Sequence, residues 1–160
     1  MKSNSQFKTM RHIETVRNYI QAFVKELLNR GAKHDQSKME EPELSIFNEY
    51  TPRLKGLTYG SEEYKKCLQE MLPAVRHHQT ANRHHPEYFE NGIAGMNLID
   101  MIEMLADWKA ATLRHADGDI YKSLEINAKR FGYSPEIYTL FKNTINWLEI
   151  QEVAHHADES

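Results

Sequence analysis

TMRHIETVRNYIQAFVKELLN, residues 9–29, repeats its apolar side chains at steps of three and four: Ile13, Val16, Ile20, Phe23, Val24 and Leu27. On a helix that spacing gathers them into one stripe, because positions i, i+3, i+4 and i+7 share a face. Gly31, just beyond, reads as a stop, so a first helix is expected over Thr9–Asn29. The same period runs through most of the chain. No alternating run of β-branched residues marks a strand.

Working outward, residues 32–39 read as a short break carrying His34 and Asp35. A second helix is expected over Glu41–Tyr50, with Pro42 in its first turn, where a missing N–H costs nothing; residues 51–60 read as a loop. Ser61, followed by Glu62 and Glu63, opens a third helix that runs to His78 on the stripe Tyr64, Leu68, Met71, Leu72 and Val75, with a kink at Pro73. A polar loop, Gln79–Gly92, leads to a fourth helix over Ile93–His115. Its expected stripe is Ile99, Ile102, Leu105, Ala106 and Leu113, and Asp117-Gly118 is its stop. A fifth helix spans Ile120–Phe131 before Gly132. Ser134-Pro135-Glu136 opens a sixth on Ile137, Leu140, Phe141, Thr144, Ile145 and Leu148. The fold class is all-α: a single bundle of about six helices over residues 1–153, with 154–160 as a flexible tail.

Composition narrows the function. A chain of 160 residues with 40% hydrophobic and 27% charged residues suits one folded domain with its own core. No apolar run approaches the roughly 18 residues of a membrane span, and the polar start MKSNSQFKTMRHIE lacks the apolar segment of a signal peptide. With one cysteine, Cys67, no internal disulfide can form, so a cytoplasmic location is expected. The net charge of −3 argues against general nucleic-acid binding through phosphate contacts. Nine histidines, several adjacent to one another, are the unusual feature.

His34-Asp35 offers an imidazole nitrogen and a hard carboxylate oxygen side by side. Neighbours on a regular helix point about 100° apart, so both reach one ion only where the backbone breaks, as expected after Gly31. An ordinary helix cap is the plain alternative. His12 borders the apolar stripe of the first helix. His77 and His78 close the third; counted from Leu68, His78 falls on the buried stripe with Met71 and Val75 while His77 points away. His84-His85 follows after a short loop, with Pro86 imposing an extended approach. On the fourth helix Met96, Asp100, Glu103 and Asp107 share a line. A solvated acidic face is the reading for Asp100. Asp107, between Ala106 and Trp108, is a carboxylate in an apolar segment, a costly place unless a cation or histidine partners it.

His12, then His34-Asp35, then Asp107, on separate helices of an all-α chain, resembles the H…HD…D signature of the HD superfamily of metal-dependent phosphohydrolases. HDQSK, residues 34–38, is similar to the HD-x-[SG]-K form of its phosphodiesterase branches. HDQSK-x4-E (ending at Glu43), HHQTANRHHPEY (77–88) and EMLADWKA (103–110) resemble a small bacterial and phage branch of it. The likeness covers about His12 to Pro135.

The resemblance implies that His12, His34, Asp35 and Asp107 bind one divalent ion. His78 or His77, with His84 or His85, would serve a second ion or contact phosphate. Two departures stand out: only a short loop separates the two histidine pairs, and Lys38 stands where nucleotidase members carry Glu. Glu43 or Glu40 would then supply the extra carboxylate. A His/carboxylate site suits Mn, Fe, Co, Ni or Zn. The expected function is hydrolysis of a nucleotide or other small phosphate ester, with Asp35 orienting the attacking water, Lys38 and Glu43 assisting, and Lys38, Arg76, Asn82, Arg83 and Tyr88 contacting substrate. A di-iron oxygenase of the same superfamily, or a metal-stabilised binding protein without turnover, are the alternatives. A homodimer is left open.

Overall fold

The computed structural model of the chain describes residues 4–57, 61–113 and 118–158. They form six α-helices: α1 (Asn4–Lys33), α2 (Glu43–Lys55), α3 (Glu62–Ala81), α4 (Leu98–Thr112), α5 (Ile120–Phe131) and α6 (Pro135–Asp158), with 3-10 turns at Gln36–Met39, Pro86–Tyr88 and Gly92–Gly95. No strand occurs among the described residues, so the chain is an all-α bundle. No described helix is long and apolar enough to cross a membrane.

The termini of these helices follow local chemistry. Ser61 Oγ accepts the Tyr64 backbone N–H and caps α3. Asn97 and Asp100 form a reciprocal capping box at the start of α4, which therefore begins after the Gly92–Gly95 turn and five residues later than Ile93. Asp119 Oδ1 accepts from the Tyr121 and Lys122 backbone and caps α5, and Gly132 ends it in the left-handed region, φ 65°. Gly31 does not end α1. The helix passes through it to Lys33, and the stop falls at Asp35, whose φ of 59° and ψ of 14° break the helical path. Asp is among the few non-glycine residues that tolerate this region. The second helix begins after Pro42 and runs to Lys55 with Pro52 inside it, so it takes in half of the expected loop. α3 holds Pro73 in its interior without ending there. α6 stays helical to Asp158. The expected end of α4 at His115 and the start of its stop at Asp117 lie outside the described residues.

Packing divides the molecule. Met104 and Leu105 of α4, Ile120 and Leu124 of α5, and Phe141 and Ile145 of α6 form the core with Ile93, Met96 and Tyr133, while Trp108 packs on it. Tyr133 is fixed there by donating its hydroxyl to the Leu124 carbonyl at 2.6 Å. On α4 the buried face is therefore the Met104–Leu105 side; Ile102 and Leu113 from the expected stripe are 45% and 74% exposed. On α6 Phe141 and Ile145 are buried and Leu140 is exposed. α2 and α3 pack on each other around Cys67, Met71 and Ala74. α1 packs on α4 near its C-terminal end, and none of its residues is buried. Ile13, Val16, Ile20, Phe23 and Val24 of its expected core stripe face outward instead, and Leu27 is partly covered beside α4.

Candidate metal centre

The site lies where the end of α1, the Gln36–Met39 turn, the end of α3, the His84-His85 loop and α4 meet. The left-handed turn at Asp35 aims two consecutive side chains at one point, as the break in helix requires. Asp35 Oδ1 lies 3.6 Å from His34 Nε2, 3.1 Å from His78 Nε2 and 3.5 Å from His84 Nε2. His34 Nε2 is also 3.6 Å from Asp107 Oδ1. Two ligands on one ion, each about 2.1 Å from it and 90–110° apart, sit roughly 3.0–3.5 Å from each other. Separations of 3.5–3.6 Å are too long for good hydrogen bonds but match shared coordination. His34, Asp35 and His84 offer ligand atoms all within 4.8 Å of one another, and so do His78, His84 and His85. Asp35 Oδ1, His84 Nε2 and His85 Nε2 are buried without a hydrogen-bond partner. The donor set, its spacing and these orphaned atoms fit one or two transition-metal cations.

A second layer of carboxylates turns the rings. Glu43, fully buried, accepts from His77 Nδ1 at 2.8 Å and His78 Nδ1 at 2.9 Å. Glu103 Oε1 accepts from His34 Nδ1 at 2.9 Å and lies 3.2 Å from His84 Nδ1. A carboxylate on Nδ1 fixes the tautomer and leaves Nε2 free as a ligand, the arrangement that supports metal-bound histidines. Glu103 is itself held by Arg30. Asp100 is buried rather than solvated, because Arg30 and Arg83 both bond it, Arg83 through two nitrogens at 3.0 and 3.1 Å.

The charges interact strongly. Asp107 and Glu103 raise the His34 imidazole to about 10 against the opposing effect of burial. Burial pushes the Asp35 carboxyl up, but His78, His84 and Lys38 outweigh it and hold the group well below the usual carboxylate range. Burial likewise raises Glu103 and Asp107, and the adjacent imidazoles pull both down. Burial together with the neighbouring His84 and His78 lowers His85 to about 3. The cluster carries a concentration of negative charge in its carboxylates and an imidazole kept neutral among them, the pairing a dication calls for.

The residues singled out from sequence take different places. His34, Asp35, His78, His84, His85 and Asp107 converge. His12 does not. It sits on the unbroken helix that ends one residue before His34, and 22 residues at about 1.5 Å each separate the two by roughly 33 Å; it is exposed. His78 is buried and His77 is exposed, as expected, but the buried phase of α3 is that of Cys67, Met71 and Ala74; Leu68 and Leu72 from the expected stripe are exposed. Glu43 orients rings rather than facing a substrate. Lys38 bonds Asp35 Oδ2 at 2.6 Å. Arg76, two residues from His78, lies about 200° around α3 and is exposed, away from the cluster. Asn82 donates to Ser37 Oγ and to the His78 carbonyl. Arg83 braces Asp100 beneath Tyr88 and Phe89, whose rings it faces at 5.4 and 4.9 Å. Glu103 escaped notice as a ring partner. Its signal was its place four residues before Asp107 on the same helical line.

No curated protein and no solved structure matches the chain. A family model covers residues 1–152, and the chain accordingly belongs to that family, described as a family of unknown function, DUF5662.

Proposed function

We propose that the chain is an HD-type metal-dependent phosphohydrolase acting on a nucleotide or another small phosphate ester. One observation carries the reading: Asp35 Oδ1, His84 Nε2 and His85 Nε2 are buried in one cluster with no hydrogen-bond partner. Unsatisfied buried polar atoms are costly, and a shared cation satisfies imidazole nitrogens and a carboxylate together. His34, Asp35 and Asp107 would hold a first ion, and His78, His84 and His85 a second, since the one free lone pair of His84, on Nε2, serves a single ion. Mn, Fe, Co, Ni and Zn all suit such a set. When bound, the ion supplies a Lewis acid for a phosphoryl oxygen and lowers the pKa of water.

The residues divide the remaining work. Asp35 orients the attacking water. Lys38, beside it, contributes positive charge to the incoming phosphate. A polar recess of about 420 Å³ next to His84 and Glu103, rimmed by Lys33, Asn82 and Arg83, gives an anionic substrate a place to approach. Hydrolysis needs no redox partner: the water oxygen forms the new bond to phosphorus, the ester oxygen leaves with the electron pair of the broken P–O bond, and the water's protons end on the alcohol and the phosphate.

The test is elemental analysis of protein dialysed against Mn²⁺, Co²⁺, Fe²⁺ or Zn²⁺, followed by a phosphate-release screen over nucleotides and simple phosphate monoesters. One to two ions per chain and metal-dependent phosphate release are expected. Two irons with oxygen consumption and no phosphate release would put the oxygenase reading in its place. Metal without any turnover would make the chain a metal-stabilised binding protein.

The homodimer belongs to the same proposal. Ile13, Val16, Ile20, Phe23 and Val24 of α1 are between 40% and 60% exposed. They form one uncovered apolar face of α1. The 3-4-3 spacing of Ile13, Val16, Ile20 and Phe23 is a coiled-coil seam, which takes another helix; the occupant is α1 of a second copy, whose seam is identical and can pair with it about a two-fold axis. Sedimentation should give twice the 18.8 kDa chain mass, and Ile20→Glu with Phe23→Glu should give a folded monomer. A monomeric wild-type protein at micromolar concentration overturns this. The reducing cytoplasm, where the buried thiol of Cys67 stays free, is the proposed location.

A further inference from the structure

Between α1 and α4 runs a groove of about 390 Å³, within the size range of small-molecule sites. Its walls are Leu27 and Gly31 on α1 and Ile102, Ala106 and Ala110 on α4, and it ends on His34 and Asp107. The two charges on its other margin, Arg30 and Glu103, are paired with each other. The groove therefore presents apolar walls along its length and the candidate metal ligands at one end.

Gly31 is the informative wall residue. Glycine inside a helix is destabilising relative to alanine. Gly31 has a helical backbone and needs no left-handed φ, and a Cβ built on it meets nothing within 4 Å. Neither the chain path nor crowding by a neighbour accounts for the missing side chain. Gly31 leaves the groove wall next to His34 without a side chain. Ala106 and Ala110, one helical turn apart on α4, keep the facing wall low in the same way. Small residues alone would mean little; here they line a cavity that terminates on His34 and Asp107, in the cluster whose orphaned buried lone pairs call for a ligand.

We propose that this groove is the ester-side subsite of the metal centre and receives an apolar alkyl or aryl substituent of the phosphate ester, with the phosphate at the His34–Asp107 end. The substrate is then an ester of an apolar alcohol or phenol rather than of a bare sugar, whose hydroxyls would find no partners along Leu27, Ile102 and Ala106. This rests on the phosphohydrolase reading for the identity of the head group, and not for the apolar character of the groove.

The experiment has two arms. In the first, calorimetry measures binding of methyl-, butyl-, hexyl- and octylphosphonate, which cannot be hydrolysed, to the Mn²⁺-loaded protein. Affinity should rise about fourfold per methylene, the increment of apolar burial, until the groove is full. Gly31→Leu, and independently Ala106→Leu from the opposite wall, should flatten that rise with Mn²⁺ content unchanged by elemental analysis; two variants on different helices guard against one failing to fold. In the second arm, n-hexanol is titrated into metal-free protein, and backbone amide shifts at Gly31 and Ala106 are followed by NMR. Shifts are expected in the wild type and should be lost at Ala106 in Gly31→Leu. Affinity independent of chain length, or no hexanol shifts at these amides, overturns the proposal. Chain-length dependence with no phosphate release from octyl phosphate leaves the groove standing and overturns the hydrolase reading instead. Failure to take up Mn²⁺ overturns the metal centre, and the hexanol arm still decides the groove.

Discussion

Asp35 Oδ1 stands 3.1–3.6 Å from three imidazole nitrogens and has no hydrogen bond. Asp35→Ala should therefore lose both bound metal and phosphate release, the latter by at least about 10²-fold, with helicity checked by circular dichroism because ligand loss can loosen a metal-dependent bundle. Lys38 touches the other oxygen; Lys38→Ala should raise KM with little change in kcat, since a charge felt equally by bound substrate and transition state acts through uniform binding. The outer carboxylates make a separate prediction. Glu43→Gln and Glu103→Gln keep shape but lose the negative charge on Nδ1, and each should weaken Zn²⁺ affinity about 10–100-fold in calorimetric titration. Glu103→Gln should be the worse of the two, as both rings it serves, His34 and His84, are candidate ligands, whereas of the two that Glu43 serves only His78 is. At this scale the sequence was legible wherever covalent adjacency did the work: His34-Asp35 and His84-His85 arrive together because they are neighbours in the chain. His12 does not reach the site because the long helix between it and His34 holds the two apart, whether that helix ends at Asn29 or at Lys33. Glu103 was missed because a carboxylate beside other carboxylates looks solvated until the partner histidines are placed.

At the scale of elements, caps were readable and faces were not. Ser61, Gly132 and the Ser134-Pro135 start act within a few residues of themselves, so local chemistry suffices. Which side of α4 meets the core depends on α5 and α6, and Ile102 lost to Met104 because tertiary contacts choose among several apolar residues. The caps give measurable increments. Asn97→Ala removes one half of the capping box and should cost about 1 kcal/mol in urea unfolding. Gly132→Ala forces a side chain into φ 65° and should cost about 1 kcal/mol as well. Loss from Asn97→Ala should also loosen Asp100, whose carboxylate answers the Asn97 backbone at 3.0 Å while holding Arg30 and Arg83.

The whole molecule is built unevenly. Its continuous core belongs to α4, α5, α6 and the turn before α4, whereas the site draws ligands from the end of α1, from α3 and from the loop after it, with Asp107 alone coming from α4. Hydrogen exchange should reveal the difference as layers. Amides of Met104, Leu124 and Ile145 are expected to exchange only by the largest opening, those of α2 and α3 by a smaller one, and those in the first turns of α1 fastest in a monomeric variant. Binding a ligand to the site would then slow the middle layer most, because it joins residues that open independently in its absence. A carboxylate cluster that spans two layers of unequal stability is thus also a clasp: whatever occupies it sets how often the half without the continuous core lets go of the half that holds it.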